Sequence, residues 1–333
     1  MKTLLFKETE SDIKKAAEII REGGLIAFPT ETVYGLGADA LNSEAVKKVY
    51  AAKGRPSDNP MIVHICQKEQ IESLTPEITE DMRILMDNFW PGPMTMIVRR
   101  KPIIPDVTTG GLDTVGIRLP QNDTARKLIK YSGCCIAAPS ANLSGKPSPT
   151  KAEHVKKDLT GRIDGIIEGG DSQVGIESTV IDMTGESPMI LRPGGYTKED
   201  FEKVLGKEVL LDPTLNKKPD DSKGDFKPKA PGMKYKHYAP DAEIIIFQGN
   251  ADNVRQAIEE EQKNLETKGK KVRTIIFDYK REEDAAHRLF AELREADVEG
   301  ADVILASALP EEGLGFSIMN RLMKSAGYNI KNV

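Results

Sequence analysis

The chain has 333 residues, with 47 Lys and Arg against 52 Asp and Glu, a formal net charge of −5 and only 5% aromatic residues. That length suits two domains, and the acidic balance with few aromatics argues against a surface that coats nucleic acid or stacks bases, although a local basic cleft survives that objection. No segment approaches the ~20 apolar residues of a membrane span, the N-terminal stretch Met1 to Lys7 has no signal-peptide run, and Cys66, Cys134 and Cys135 lack metal-ligand spacing, so the expectation is a cytoplasmic protein with reduced thiols.

In chain order, Ser11 to Glu22 reads as a helix capped by Ser11. Ile13, Ala16, Ala17 and Ile20 make its apolar face, and Gly23-Gly24 stops it. Leu25 to Phe28 follows as a strand, Ser43 to Lys53 as a helix with Val46, Val49 and Tyr50 inward, and Met61 to Ile65 as an apolar strand. Asp81 to Phe89 is helical and ends at Trp90-Pro91-Gly92-Pro93, where two prolines forbid continuation. Met94 to Val98, Val115 to Leu119, Cys134 to Ala138, Gly165 to Glu168, Ser178 to Ile181 and Met189 to Leu191 are further strands. Helices fall at Thr124 to Tyr131 and Lys151 to Leu159. Many strands, few helices and short connections predict an α/β domain with a twisted, partly mixed sheet.

Composition shifts after about residue 205, and Asp212 to Lys236 mixes prolines with charges in the manner of an exposed linker. Beyond it, Glu243 to Phe247, Lys271 to Phe277 and Asp302 to Ala306 read as strands, with helices at Val254 to Leu265 and Glu282 to Ala296 between them. That alternation predicts a small parallel sheet with crossover helices.

Common nucleotide fingerprints, zinc-spaced histidine pairs and the G-x-S-x-G elbow are absent. What remains is a set of strand ends that carry polar groups. The strand ending at Phe28 runs into Pro29-Thr30-Glu31-Thr32-Val33-Tyr34-Gly35-Leu36-Gly37, a loop dense in hydroxyls. Loops at strand ends are where α/β proteins put binding groups. By alternation Thr30 and Thr32 face one side and Glu31 the other, while Gly35 and Gly37 permit a tight turn. Lys53 and Arg55 flank Gly54 in a cationic loop that ends at Asn59-Pro60. Such a loop either holds phosphate oxygens or is a solvated charged turn. His64 shares a strand face with Ile62, as a satisfied core group or as a ligand contact. Arg118 sits in the apolar strand Val115 to Leu119 and needs a carboxylate, from Asp113, from Asp123 or from a ligand. Ala138-Pro139-Ser140-Ala141-Asn142 and the stretch on to Ser148 form a loop of small residues and hydroxyls, open either to ligand binding or to turn chemistry alone. Pro231 to Pro240 packs Tyr235, His237 and Tyr238 between prolines, more than a passive linker requires.

Taken together these stretches resemble the YrdC/Sua5 family of threonylcarbamoyl-AMP synthases. The resemblance rests on the Pro29 to Gly37 loop, Lys53-Gly54-Arg55 with Asn59-Pro60 and His64, Trp90-Pro91-Gly92-Pro93, and Gly116-Ile117-Arg118. It continues through Pro139-Ser140-Ala141-Asn142, Glu177-Ser178-Thr179 and Leu191-Arg192-Pro193-Gly194, in the family's order over roughly residues 10 to 200. The Pro231 to Pro240 segment and the C-terminal α/β unit are similar to the two-domain Sua5 form.

The resemblance implies a YrdC-like twisted open α/β sheet with a concave basic cavity over residues 10–205, a linker or lid over 206–240, and a smaller Rossmann-like domain over 241–333 that anchors the lid. It implies that L-threonine, bicarbonate (or carbon dioxide) and ATP become L-threonylcarbamoyl-AMP, diphosphate and water. The product feeds N6-threonylcarbamoylation of adenosine 37 in tRNA through a downstream threonylcarbamoyl transferase complex. Lys53 and Arg55 are then the catalytic cations on the phosphates, joined at ATP by Asn59, Thr114, Ser140, Asn142, Ser148, Arg192, Tyr235 and His237. The threonine pocket takes Thr30, Thr32, His64, Arg118, Ala138 and Ser178, with Thr30 and Thr32 turned towards threonine and His64 a candidate proton acceptor. Mg²⁺ is expected to accompany ATP, with no dedicated protein metal site. Two other readings compete: an RNA-binding module, against which the charge counts, and a carbamoyl-adenylate-forming domain, which normally sits in much longer chains.

Overall fold

The computed structural model describes residues 1–215 and 238–333. The first strand, β1 (Leu4–Lys7), precedes α1 (Glu10–Arg21). The cap of α1 is Thr9 rather than Ser11: extended Thr9 accepts the Asp12 amide on its hydroxyl at 3.3 Å, so the helix starts earlier than expected. Ile13, Ala16, Ala17 and Ile20 are buried as the periodicity requires. β2 (Ile26–Phe28) then pairs antiparallel with β3 (Gly35–Asp39). Gly35 and Gly37 are therefore strand residues, not a tight turn. A Cβ on Gly37 would stand 2.7 Å from Ile136 Cγ2 and 2.8 Å from Phe28 Cε1, so close packing selects glycine there.

Next comes α2 (Ser43–Lys53), capped by Asn42 and stopped by Gly54 at φ 62°. That stop leaves Lys53 on the last turn and Arg55 just beyond it. The chain continues through β4 (Ile62–His64), α3 (Ile71–Leu74), α4 (Glu80–Phe89), β5 (Met94–Arg99), α5 (Asp106–Thr109) and β6 (Thr114–Arg118). It goes on through α6 (Asp123–Ser132), β7 (Ile136–Ala137), α7 (Ala152–Leu159), β8 (Gly165–Glu168), β9 (Thr179–Asp182) and β10 (Met189–Arg192). Finally α8 (Lys198–Leu205) and β11 (Leu210–Leu211) follow, and β11 lies parallel to β10. The sheet thus extends past residue 205, into the stretch read as linker.

These strands form one mixed eleven-stranded sheet in the order β1-β8-β2-β3-β7-β4-β6-β5-β9-β10-β11. Its register positions the site. Parallel pairing of β4 and β6 sets His64 opposite Arg118, and antiparallel β5 sets Thr95 opposite Arg118 on the other side.

The second domain holds β12 (Glu243–Gln248), α9 (Ala251–Thr267), β13 (Val272–Ile275), α10 (Glu282–Glu299), β14 (Val303–Ser307), α11 (Gly313–Ser325) and β15 (Ile330–Asn332). Its sheet is parallel throughout, in the order β13-β14-β12-β15, as the alternation predicts. The sequence reading passes over α11, although Ile318, Met319, Leu322 and Met323 give it an apolar face in the second domain's core. Its polar face is buried as well, including Ser317, Asn320, Arg321 and Ser325. The second domain's core also takes in Val33 and Ile176 from the first domain, so the two share an apolar seam. Among the described residues, no helix is long and apolar enough to cross a membrane.

Candidate active site

Where β2, β4 and β6 end, their polar residues converge. Arg118 donates from Nη1 to Thr32 Oγ1 at 2.9 Å and from Nη2 to Glu31 Oε1 at 2.6 Å. Both members of the Arg118–Glu31 pair are buried, with side chains 5% and 4% exposed. This corrects two expectations. Glu31 does not point away; it is the carboxylate that Arg118 requires. Asp113 and Asp123 instead pair with Arg99 and Arg126 on the surface. The hydroxyls of Thr30 and Thr32 lie 2.9 Å apart, but their tasks differ. Thr30 donates to the Val33 carbonyl at 2.6 Å and accepts the amides of Thr32 and Val33, which braces the loop. Thr32 lines the cavity and Thr30 stands behind it.

His64 lines the same cavity, with Nδ1 3.2 Å from the Ile62 carbonyl. Burial, with Arg118 alongside, pushes its basicity down to about 3. It is therefore a neutral hydrogen-bonding group at neutral pH, and the proton-acceptor role considered for it is unsuited to a base this weak. Ser178 is fully buried beside Thr95, hydroxyl to hydroxyl at 2.8 Å, and accepts from Arg192 at 3.1 Å. Ala138 completes this end of the cavity.

The other end is cationic. Lys53, Arg55, Lys146 and Arg192 line it together with Ser140, Asn142 and Ser148, and Glu177 is its one lining carboxylate among the described residues. The unfilled space between these groups, including what opens to solvent, is about 690 Å³. Lys53 is buried and donates to the carbonyls of Ser140 and Asn142 at 2.5 and 2.6 Å. Burial depresses its basicity, and the neighbouring Arg55 adds to that. Those oxygen contacts favour the charged form, so we read it as an ammonium that clamps the 140–142 loop. Asn142 has a similar bracing role: its amide nitrogen donates to the carbonyls of Leu143 and Lys146, and its side-chain oxygen accepts from Ser140. Arg55 donates to the Asn59 and Pro60 carbonyls, while burial lowers its pKa to about 10 and also lowers that of Arg192. Cations held at such a cost in desolvation call for an anion.

Asn59 and Thr114 are not among the cavity's lining residues. Asn59 is buried behind Arg55 with its side-chain oxygen unpartnered among the described residues. Thr114 begins β6, four residues before Arg118 and so about 13 Å away along the strand. Tyr235 and His237 lie outside the described residues. In their neighbourhood Tyr238 lines the cavity in a left-handed conformation, φ 64°, with its ring 5.2 Å from that of Phe290. Sequence reasoning assigned no role to Glu31, Glu177 or Tyr238. The signal for the two glutamates was a lone carboxylate beside hydroxyls at a strand end: Glu31 between Thr30 and Thr32, and Glu177 before Ser178 and Thr179. Among the described residues, no group of three or more His, Cys, Asp or Glu is placed to hold a metal ion.

Residues 18–194 match the Sua5/YciO/YrdC family, described as telomere recombination, and residues 196–327 match the family described as the threonylcarbamoyl-AMP synthase C-terminal domain. The chain is 50% identical to the threonylcarbamoyl-AMP synthase of Pyrococcus abyssi (strain GE5 / Orsay), over 97% of this chain and 96% of that one. It is 48% identical to the Bacillus subtilis (strain 168) threonylcarbamoyl-AMP synthase, over 96% and 94% of the two chains. Its fold is similar to the crystal structure of P. abyssi Sua5 complexed with L-threonine, with a TM-score of 0.93, 48% identity and 100% of both chains covered. The motif order, the paired domains and these likenesses agree: the chain belongs to the threonylcarbamoyl-AMP synthase family, in its two-domain Sua5 form.

Proposed function

We infer that the chain condenses L-threonine, bicarbonate and ATP into L-threonylcarbamoyl-AMP, releasing diphosphate and water. One observation carries the residue assignment: a single cavity joins the Thr32–Arg118 end, fit for an amino acid, to the Lys53, Arg55 and Arg192 cations, fit for a polyphosphate. The threonine amine attacks carbon dioxide, or bicarbonate with loss of water, forming the N–C bond and giving up a proton. An oxygen of the resulting N-carboxylate attacks the α-phosphorus. The bond from that phosphorus to the bridging oxygen breaks, and diphosphate leaves with the electron pair. Positioning and charge neutralisation supply most of the catalysis in such a step.

Arg118, which lines the cavity and is held in place by Thr32 and Glu31, meets the threonine carboxylate. Neutral His64 and Ser178 offer hydrogen bonds to the amino acid. Lys53, Arg55 and Arg192 take the phosphates, and Ser140 and Ser148 border the nucleotide. Tyr238 supports the covering role assigned to the segment of Tyr235 and His237. Mg²⁺ comes with the ATP phosphates and shields their charge. The cavity's lining carboxylate, Glu177, is already taken by Ser148 and Arg321, so no residue here is assigned to hold the ion. The product is a labile mixed anhydride, suited to immediate transfer to tRNA by a separate threonylcarbamoyl transferase. The three cysteines are free thiols, in keeping with the cytoplasm.

The test is diphosphate release from ATP with threonine and bicarbonate each left out in turn. Release that needs both supports the reading, and turnover without threonine refutes it.

A further inference from the structure

Two arginines of the second domain spend their charge on the first domain's cavity loops. Arg321, on α11, is 0% exposed. Its Nε donates to Glu177 Oε2 at 3.1 Å, and its Nη1 donates to the carbonyls of Pro193 and, at 3.2 Å, Ser317. The other oxygen of Glu177 accepts from Ser148 Oγ at 2.6 Å. Arg294, on α10, is 6% exposed. It donates to the Pro147 carbonyl from Nε at 3.0 Å and from Nη2 at 2.6 Å, and it grips Asp158 with bonds of 3.2 and 2.7 Å. Ser317 adds a bond to the Gly194 carbonyl at 2.9 Å. The segments held this way are 147–148, 177 and 193–194, which carry or adjoin the cavity residues Ser148, Ser178 and Arg192.

An apolar seam already joins the domains: Val33 and Ile176 share one core cluster with Leu289 and Phe290, and Tyr238 packs on Phe290. Domain cohesion alone therefore leaves these bonds unexplained. A buried arginine is costly to desolvate and is retained where its several donors fix more than one partner at once. Arg321 does this across the domain boundary: one side chain ties Glu177 to Pro193, and Glu177 in turn orients Ser148.

We propose that Arg321 and Arg294 are positioning residues of the nucleotide end of the cavity, so that the second domain builds the ATP site from behind as well as anchoring its cover. This rests on the reading of that end as the ATP site. Neither arginine lines the cavity; each acts through a loop.

The test uses the full chain with Arg321→Met, Arg321→Lys and Arg294→Gln, each checked for folding by circular dichroism. Steady-state diphosphate release is measured with ATP and threonine varied separately. Arg321→Met and Arg294→Gln should raise the ATP KM by about tenfold or more, with the threonine KM changed less than about threefold; tenfold in affinity is about 1.4 kcal/mol. Arg321→Lys, which keeps the charge but loses the fork, should fall between. A purely structural role would lower the active fraction, hence kcat, and leave both KM values alone. An unchanged ATP KM in folded Arg321→Met and Arg294→Gln overturns the proposal. Should Arg321→Met not fold, Arg294→Gln decides by the same criterion. Diphosphate release absent from the unaltered chain would overturn the functional reading and this inference with it; release with unshifted variants overturns only the inference.

Discussion

Glu31→Gln tests the threonine end of the cavity most sharply. Glutamine keeps the shape of Glu31 and one hydrogen-bond acceptor but removes the charge that faces Arg118 at 2.6 Å. Arg118 is 4% exposed, so water cannot replace the lost carboxylate. Two unit charges about 4 Å apart at an effective dielectric of about 20 attract by about 4 kcal/mol, and removing one partner of a buried pair costs roughly 3–5 kcal/mol. With the hydrogen bond partly kept, a loss of about 3 kcal/mol is expected, which corresponds to about 6–12 °C in Tm for a domain of this size. L-Threonine should then return part of the loss, because its carboxylate supplies the missing anion. Differential scanning calorimetry of both proteins, with and without saturating L-threonine, reads both effects. The expected result is a lowered Tm for the variant and a larger threonine-induced rise than in the unaltered chain. A variant Tm within about 2 °C of the unaltered chain would refute the energetic claim. Equal threonine shifts in both proteins would refute the placement of the substrate carboxylate at Arg118.

Three further outcomes are expected. Arg118→Ala should raise the threonine KM by about tenfold or more, a loss of about 1.4 kcal/mol, with a smaller effect on the ATP KM; an unchanged threonine KM would remove Arg118 from that pocket. Lys53→Met should lower kcat/KM for ATP by about 100-fold and, by releasing the carbonyls of Ser140 and Asn142, destabilise the fold by about 2 kcal/mol, measured by urea unfolding; full stability would show that the clamp is dispensable. His64 has its basicity lowered from 6.5 to about 3 by burial, so below pH 6.5 the unfolded chain takes the proton first. Stability should accordingly fall by about 1.4 kcal/mol per pH unit from pH 6.5 towards 3 and gain nothing from this group above 6.5. His64→Gln should flatten that slope in urea titrations from pH 4.5 to 7, and an unaltered slope would mean that His64 protonates within the fold.

Much of the fold was legible because its signals are local. The faces of α1 and α2, the strand Met61 to Ile65 and the β-α alternation after residue 241 follow from periods that a chain carries without reference to its partners. Motif order likewise identified the family and brought Thr32, Lys53, Arg55, His64, Arg118, Ser178 and Arg192 into one set before any geometry was known; all of them line one cavity. Tertiary structure decided which groups are paired inside that set. Alternation sent Glu31 away from Arg118, yet a loop after a strand need not keep the strand's period, and the two meet at 2.6 Å. Thr30 and Thr32 look alike in sequence, and only the turn that Thr30 braces gives the cavity to Thr32. Gly35 and Gly37 suggested a turn because glycine's freedom is visible in sequence, whereas the crowding by Phe28 and Ile136 that selects it belongs to strands far apart in the chain. Arg321 was the least legible of all. On the polar side of α11 it reads as an ordinary solvated charge, and its partner Glu177 stands 144 positions earlier, so only the packing of one domain on the other gives that charge a purpose.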